Sequence, residues 1–203
     1  QQKEERALGA FYRQYLDSGD PQHFFRPPTV RPRIQRGPVA RYHFQPEDGQ
    51  AHTLQFRSPF DTVNPALSER YQAHRRNRIA CAQHWKHHGE PRPTLVMIHG
   101  FVADPYWLNT RWLALPWFYK QGFDVLLYTL PFHGRRKGAL APFSGAQFFS
   151  QGMAMLNETF AQAIHDLRIF LDMVRDEGSP AIGATGISLG GYTTGLLSSL
   201  EKD

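Results

Sequence analysis

Apolar residues change their spacing along this chain, and each change marks an element. Near the start, Ala7, Leu8, Phe11, Tyr12, Tyr15 and Leu16 recur at intervals of three and four, which draws an apolar stripe along one side of a helix. Asp17-Ser18-Gly19-Asp20-Pro21 ends it. Residues 25–38 are rich in Pro and Arg, carry no period and predict an extended connector. Residues 39–44 and 52–56 then read as short strands on either side of Pro46-Glu47-Asp48-Gly49, which predicts a hairpin. Residues 65–78 are polar and compatible with a helix. Residues 79–85 resume a strand, which His87-His88-Gly89-Glu90-Pro91 breaks.

Beyond that point the texture changes. Thr94-Leu95-Val96-Met97-Ile98 is a continuous apolar run that stops at His99-Gly100, as a strand buried on both faces does, and residues 125–130 form a second such run. Residues 107–120 between them predict an aromatic-rich helix closed by Gly122. Over residues 155–174, Phe160, Ala163, Ile164, Leu167, Phe170, Leu171 and Val174 hold a 3.6-residue period, and Gly178 and Pro180 end that helix. Residues 181–186 form a short small-residue strand. From Leu189 the chain turns helical again, with Leu196, Leu197 and Leu200 on one side. Strands followed by alternating strands and helices call for right-handed crossovers and a mostly parallel sheet with helices on both faces, an α/β class with N-terminal antiparallel strands. Two parts are expected: residues 1–38 as an N-terminal helix and connector, and residues 39–203 as the first part of an α/β core.

Composition narrows the function classes. The 203 residues, 41% hydrophobic and 20% charged, suit one globular domain rather than a disordered or fibrous chain. The net charge of +5 arises from scattered arginines, with one cluster at Arg75, Arg76 and Arg78. No aromatic ladder accompanies that cluster, so it reads as a solvated face and no nucleic-acid partner is expected. The single Cys81 cannot close an internal disulfide, which fits a reducing, cytoplasmic setting, and no stretch reaches the length of a membrane span. Oligomeric state is left open.

The chemistry centres on Gly186-Ile187-Ser188-Leu189-Gly190-Gly191, a G-x-S-x-G pattern with one further glycine. The bare pattern arises by accident in roughly one chain in fifteen of this composition, so its setting matters more. A sharp strand-to-helix turn that thrusts a serine out of a sheet needs little bulk two residues to either side, which Gly186 and Gly190 supply. The turn also sets Ser188 at a helix start, where unpaired N–H groups favour negative charge. The bland alternative is a glycine-rich junction with an idle serine.

An apolar strand, His99-Gly100-Phe101, a helix, a second strand and then the serine elbow together resemble the α/β-hydrolase superfamily, from about residue 39 onward. The overall texture is similar to bacterial α/β-hydrolases. The resemblance implies an α/β-hydrolase fold, Ser188 as nucleophile, and an oxyanion hole made by the backbone N–H groups of Phe101 and Leu189. It implies that His99 and Gly100 order the loop rather than supply the base. Gly186, Gly190 and Gly191 would support the turn. Pro131-Phe132-His133-Gly134-Arg135-Arg136 resembles the G-H-G segment many such enzymes carry after this strand. His133, Arg135 and Arg136 are therefore possible substrate contacts, the arginines for a carboxylate or phosphate; an exposed loop with ordinary solvated charges is the plainer alternative. No metal is expected: strand alternation separates His84 from His87, and no carboxylate or cysteine joins His84, His87 and His88 at ligand spacing. His165 and Asp166 are adjacent in a helix, point about 100° apart and are read as helix surface.

A serine needs a histidine to take its proton and an acid to orient that histidine, and in this superfamily both follow the serine in the chain. Only fifteen residues follow Ser188. Asp203 would lie about 20 Å away at the far end of the helix that starts at the elbow. The later strands and the triad's acid and histidine are thus expected to be absent from this chain, which reads as an incomplete piece, inactive and aggregation-prone alone, with the strand ending at Gly186 as an apolar edge. The function implied is hydrolysis of carboxylic esters or related acyl compounds, with a small-molecule acyl substrate, an acyl-serine intermediate and no cofactor. The alternative is a non-catalytic binding or interaction protein on the same fold. Residues 24–78 exceed what a minimal hydrolase needs and suit a cap or dimer surface.

Overall fold

The computed structural model describes residues 2–102 and 105–201. Its elements are α1 (Gln2–Phe11), α2 (Arg13–Asp17), β1 (Gln35–Pro38), β2 (Gly49–Arg57), α3 (Ser68–Gln72), β3 (Ile79–His87), β4 (Thr94–Ile98), α4 (Tyr106–Trp112), α5 (Leu115–Lys120), β5 (Asp124–Thr129), α6 (Ala146–Phe149), α7 (Met153–Asp176), β6 (Ile182–Gly186) and α8 (Leu189–Leu200). The strands form one mixed sheet in the order β1-β2-β3-β5-β4-β6. β4 pairs parallel with β5 and β6, whereas β1, β2 and β3 are joined by antiparallel pairings that continue to β5.

The runs read as buried strands are indeed the sheet's centre. All six residues of β5 are buried, as are Val96, Met97 and Ile98 of β4. One face of the sheet carries α7, α8 and the N-terminal helices, with Ile98, Leu126, Tyr128, Leu167, Phe170 and Leu197 in a single core cluster. The other face carries α4 and α5, where Leu113, Leu115 and Tyr119 pack on Trp85, Met97 and Leu127. Each half-sheet strand buries its alternate side chains in one of these two layers, so the hydrophobic effect fixes the register.

Two expectations are corrected and one is extended. The hairpin does not use residues 39–44. Its first strand is β1, inside the stretch read as a connector, with Gln35 opposite Gln55 and Pro38 opposite His52. Gln-Arg-Gly-Pro has no β-type alternation, and an edge strand needs little, because only one side must pair. Residues 39–44 instead fold over the sheet, where Phe44 packs on Trp85 and Tyr119 and Gln83 Nε2 donates to His43 Nδ1 at 2.9 Å. The helix predicted over 107–120 is two helices, broken at Ala114 with φ 50° just before Pro116. Tyr12, expected merely on an apolar stripe, is buried and its hydroxyl donates to Glu158 Oε1 at 2.6 Å, tying the N-terminal helices to α7.

Candidate active site

β6 ends at Gly186 and α8 begins at Leu189, so Ile187 and Ser188 form the entire connection. A reversal that short forces Ser188 to φ 53°, ψ −116°, backbone geometry that costs a non-glycine residue about 1–3 kcal/mol. Three backbone bonds hold it there. Ile187 N–H donates to Ile98 O at 3.3 Å, Gly190 N–H to Ile187 O at 2.9 Å, and Tyr192 N–H to Ser188 O at 2.9 Å. Gly186 and Gly190 are required on steric grounds, and Gly191 is tightly packed. A Cβ on Gly186 would lie 2.5 Å from the carbonyl carbon of Gly190, one on Gly190 would lie 2.1 Å from Ile98 O, and one on Gly191 would lie 3.2 Å from Gly186 O. The start of α8 therefore rests backbone-to-backbone on the ends of β4 and β6. Ser188 is exposed, and its hydroxyl makes no hydrogen bond to any described residue.

The turn after β4 lies alongside. A Cβ on Gly100 would sit 3.7 Å from Ser188 Cβ and 3.3 Å from Ile187 O. His99 is buried, and Leu130 N–H donates to its Nε2 at 3.1 Å. Its Nδ1 therefore carries the proton and donates to Gly100 O at 2.8 Å. Burial pushes its pKa down to about 4. With both ring nitrogens engaged, His99 has no free lone pair for a serine proton; it ties the turn after β4 to the residue that follows β5. Phe101 is 38% exposed, and its ring meets Phe149 at 5.1 Å, His133 at 5.9 Å and Phe143 at 6.1 Å. Leu189 is buried at the first position of α8, where a backbone N–H has no partner within the helix.

Two of the three residues suggested as substrate contacts are corrected. Arg136 is fully buried: its Nη2 donates to Asp166 Oδ2 at 2.6 Å and to Asn77 O at 2.9 Å, and its Nη1 to Thr129 O at 3.2 Å. Asp166, read as helix surface, is the buried counterion, and Ser58 Oγ also donates to it. His133 is fully buried as well. Its Nδ1 bonds Pro131 O at 2.8 Å, its Nε2 faces Gly145 without a hydrogen-bond partner, and burial, reinforced by His99, pushes its pKa down to about 3. Arg135 alone of the three is exposed. The single 3-10 turn Gly134–Arg136 explains the split, since adjacent side chains on so tight a turn point to different sides. Asn77, which links Arg136, Gln162 and Phe132 N–H, went unnoticed because a lone polar residue before a strand carries no pattern.

The histidines elsewhere form no metal centre: among the described residues no group of three His, Cys, Asp or Glu side chains could hold an ion. His87 stacks on Tyr119 with centroids 3.8 Å apart and bonds Asp124 Oδ1 through Nδ1 at 2.8 Å, on the sheet face opposite His84. Asp203 lies outside the described residues. No described helix is long and apolar enough to cross a membrane.

Known proteins of similar shape share this arrangement of strands. A protein of Bacteroides fragilis assigned as an acetyl xylan esterase superposes with a TM-score of 0.58 at 12% identity, over 98% of this chain and 50% of its own. Acetyl xylan esterases from a Paenibacillus species (0.56, 16% identity, 88% and 52% covered) and a Thermoanaerobacterium species (0.54, 17% identity, 89% and 52% covered) are similar. The chain shares the fold of these esterases. By sequence it is 35% identical, over 117 residues, to uncharacterized proteins from two strains of Mycobacterium tuberculosis, a match that takes in 57% of this chain and 28% of theirs. No family model matches. The chain thus spans about half the length of the solved structures it resembles, and the aligned part is 28% of the curated relatives.

Proposed function

We propose that these residues carry the nucleophile of a serine hydrolase of the α/β-hydrolase type, acting on carboxylic esters or related acyl compounds. The observation that carries this reading is Ser188 at φ 53°, an exposed hydroxyl held in strained backbone between Gly186 and Gly190, neither of which has room for a Cβ. Strain of that kind persists where surroundings over-determine it, as they do at reactive centres. The esterase-like fold agrees with it.

In the proposed reaction Ser188 Oγ bonds to the acyl carbon while its proton passes to a general base, and the carbonyl electron pair moves onto oxygen. The N–H groups of Leu189 and Phe101 receive that oxyanion, an interaction worth a few kcal/mol of barrier. Collapse breaks the bond to the alcohol oxygen, which leaves with the proton from the base. Water then attacks the acyl-serine in the same way, giving the carboxylic acid and the free hydroxyl. His99 and His133 are buried with depressed pKa values and do not reach the serine by any hydrogen bond, so this reading draws the base and its acid from outside the described residues.

A fluorophosphonate probe tests the assignment on the full-length protein. Labelling is expected and should vanish in Ser188→Ala; labelling that persists there removes Ser188 from the mechanism. The absence of any hydrogen-bond partner on the Ser188 hydroxyl among the described residues favours a second reading, a non-catalytic binding protein on the same fold. It predicts no labelling in the unmodified full-length protein.

A further inference from the structure

A half-enclosed cavity of about 490 Å³ opens on the α4 side of the sheet, where the segment that follows β1 folds back over β5. Ser188, Leu189 and Phe101 are not among its described lining residues, whereas His99 is. Its size falls in the range of sites for small molecules, about 300–1,000 Å³. We propose that this cavity binds a small organic carboxylate with an apolar body, at a site separate from Ser188.

The lining is mostly apolar, with Pro38, Val39, Ala40, Pro105 and Tyr106 forming much of the wall. The Tyr106 hydroxyl is already engaged with Thr129 Oγ1 at 2.8 Å, so that part of the wall offers carbon rather than a free hydroxyl. Three groups supply polarity. Asn109 is only 5% exposed, lines the cavity, and its side-chain amide has no hydrogen-bond partner among the described residues. Its amide N–H groups face the cavity and can donate to a ligand oxygen. Arg135 also lines the cavity and forms no ion pair with a described residue, in contrast to Arg136 beside it. His43 is the third. Gln83 donates to its Nδ1, which makes Nε2 the protonated nitrogen of a ring that lines the cavity.

None of the described lining residues is acidic, and the one full charge among them is positive. A monoanion with an oxygen pair for the Arg135 fork and the Asn109 amide satisfies these groups, and its apolar body covers the walls. A phosphate dianion would carry more charge than one arginine balances. Burial holds the His43 pKa below its ordinary value, so His43 serves as a neutral donor and adds no second charge.

Isothermal titration calorimetry of the full-length protein with phenylacetate, phenylacetamide and phenyl phosphate tests the assignment. Phenylacetate is expected to bind, with the neutral amide weaker by about tenfold, the loss expected for one charge-assisted hydrogen bond. Arg135→Gln, at an exposed position, should weaken phenylacetate by a similar factor, Ala40→Trp should abolish binding by filling the chamber, and Ser188→Ala should leave it unchanged. No heat with phenylacetate at concentrations on the order of 10 mM, or equal affinity in Arg135→Gln and Ala40→Trp, overturns the site. Tighter binding of phenyl phosphate overturns the carboxylate assignment, and loss of binding in Ser188→Ala overturns the separation of the two sites. None of these outcomes depends on whether Ser188 reacts with the fluorophosphonate.

Discussion

Replacing Gly190 by alanine sets two opposing effects against each other within one helix. Alanine in place of glycine favours a helix by about 1 kcal/mol through the smaller entropy lost on folding. At Gly190, however, the added Cβ would lie 2.1 Å from Ile98 O and 2.6 Å from His99 O, where real contacts are essentially never shorter than 3.0 Å. The obstructing atoms are backbone carbonyls at the end of β4, and Ile98 is paired with Gly186 of β6, so relief requires α8 to move by roughly 1 Å relative to the sheet. Overpacking of that kind costs about 1–3 kcal/mol or more. With a backbone clash this short the cost lies at the upper end of that range, so the net loss is about 2 kcal/mol, or about 4–8 °C in Tm for a chain of this size. Gly195 is the internal control: it is exposed in the same α8, and a Cβ there meets nothing within 4 Å. Gly195→Ala should therefore stabilise by up to about 1 kcal/mol. Urea unfolding of both variants should place them about 3 kcal/mol apart with opposite signs. If Gly190→Ala matched Gly195→Ala, the close packing of α8 on β4 would be wrong, and with it the reason Ser188 stands where it does.

Two further outcomes follow from the same geometry and from burial. Ser188→Gly should be more stable than Ser188→Ala by about 1 kcal/mol in denaturant titrations, because glycine relieves the φ 53° strain while its extra unfolded-state entropy offsets part of the gain; a less stable glycine variant would mean the backbone there is not strained. His84 is buried, has no hydrogen-bond partner among the described residues on either ring nitrogen, and its pKa is pushed down to about 4 by burial, against smaller upward effects of Glu177 and Asp124. A folded pKa below the ordinary 6.5 means that stability is full above pH 6.5 and is lost as pH falls toward 4, by about 2 kcal/mol at pH 5. His84→Leu should narrow the difference in unfolding free energy between pH 7 and pH 5 by about that amount, and an unchanged difference would show that His84 is charged or solvated in the folded protein.

What could be read in the sequence was whatever a period or a fixed spacing encodes. The buried centre of the sheet, β4 and β5, announced itself as two continuous apolar runs, and α7 as a 3.6-residue period, because burial constrains every residue or every face there. The glycines around Ser188 were legible for a related reason: two backbones in contact admit no side chain, whatever the rest of the sequence does. β1 was not, since an edge strand of Gln, Arg, Gly and Pro is held by its neighbour's hydrogen bonds and not by its own side chains. Nor was the break at Ala114, where the apolar residues of α4 and α5 serve one core cluster and leave no gap in the pattern. The misread charges share one cause. Arg136 and Asp166 are 30 residues apart, and a charge buried by a distant partner looks, in isolation, like a charge in water.

That buried pair also explains how the site is assembled from several elements. Arg136 bonds Asp166 of α7, the carbonyl of Asn77 just before β3, and Thr129 O and the Tyr128 hydroxyl at the end of β5. Asn77 in turn accepts the N–H of Phe132 through Oδ1 at 3.0 Å. The loop after β5 is thus clamped at both ends, and its first residue, Leu130, gives its N–H to His99, whose other nitrogen holds Gly100 O beside Ser188. A pair taken fully out of water gains little net stability, because desolvation of both charges opposes their attraction. Its contribution here is geometric: a hydrophobic pair of the same volume would fill the core equally well, yet it would offer no donors to fix the carbonyls of Asn77 and Thr129 at one distance from each other. The position of the loop that flanks Ser188 therefore depends on hydrogen bonds made on α7, on the opposite side of the sheet from the cavity lined by Arg135.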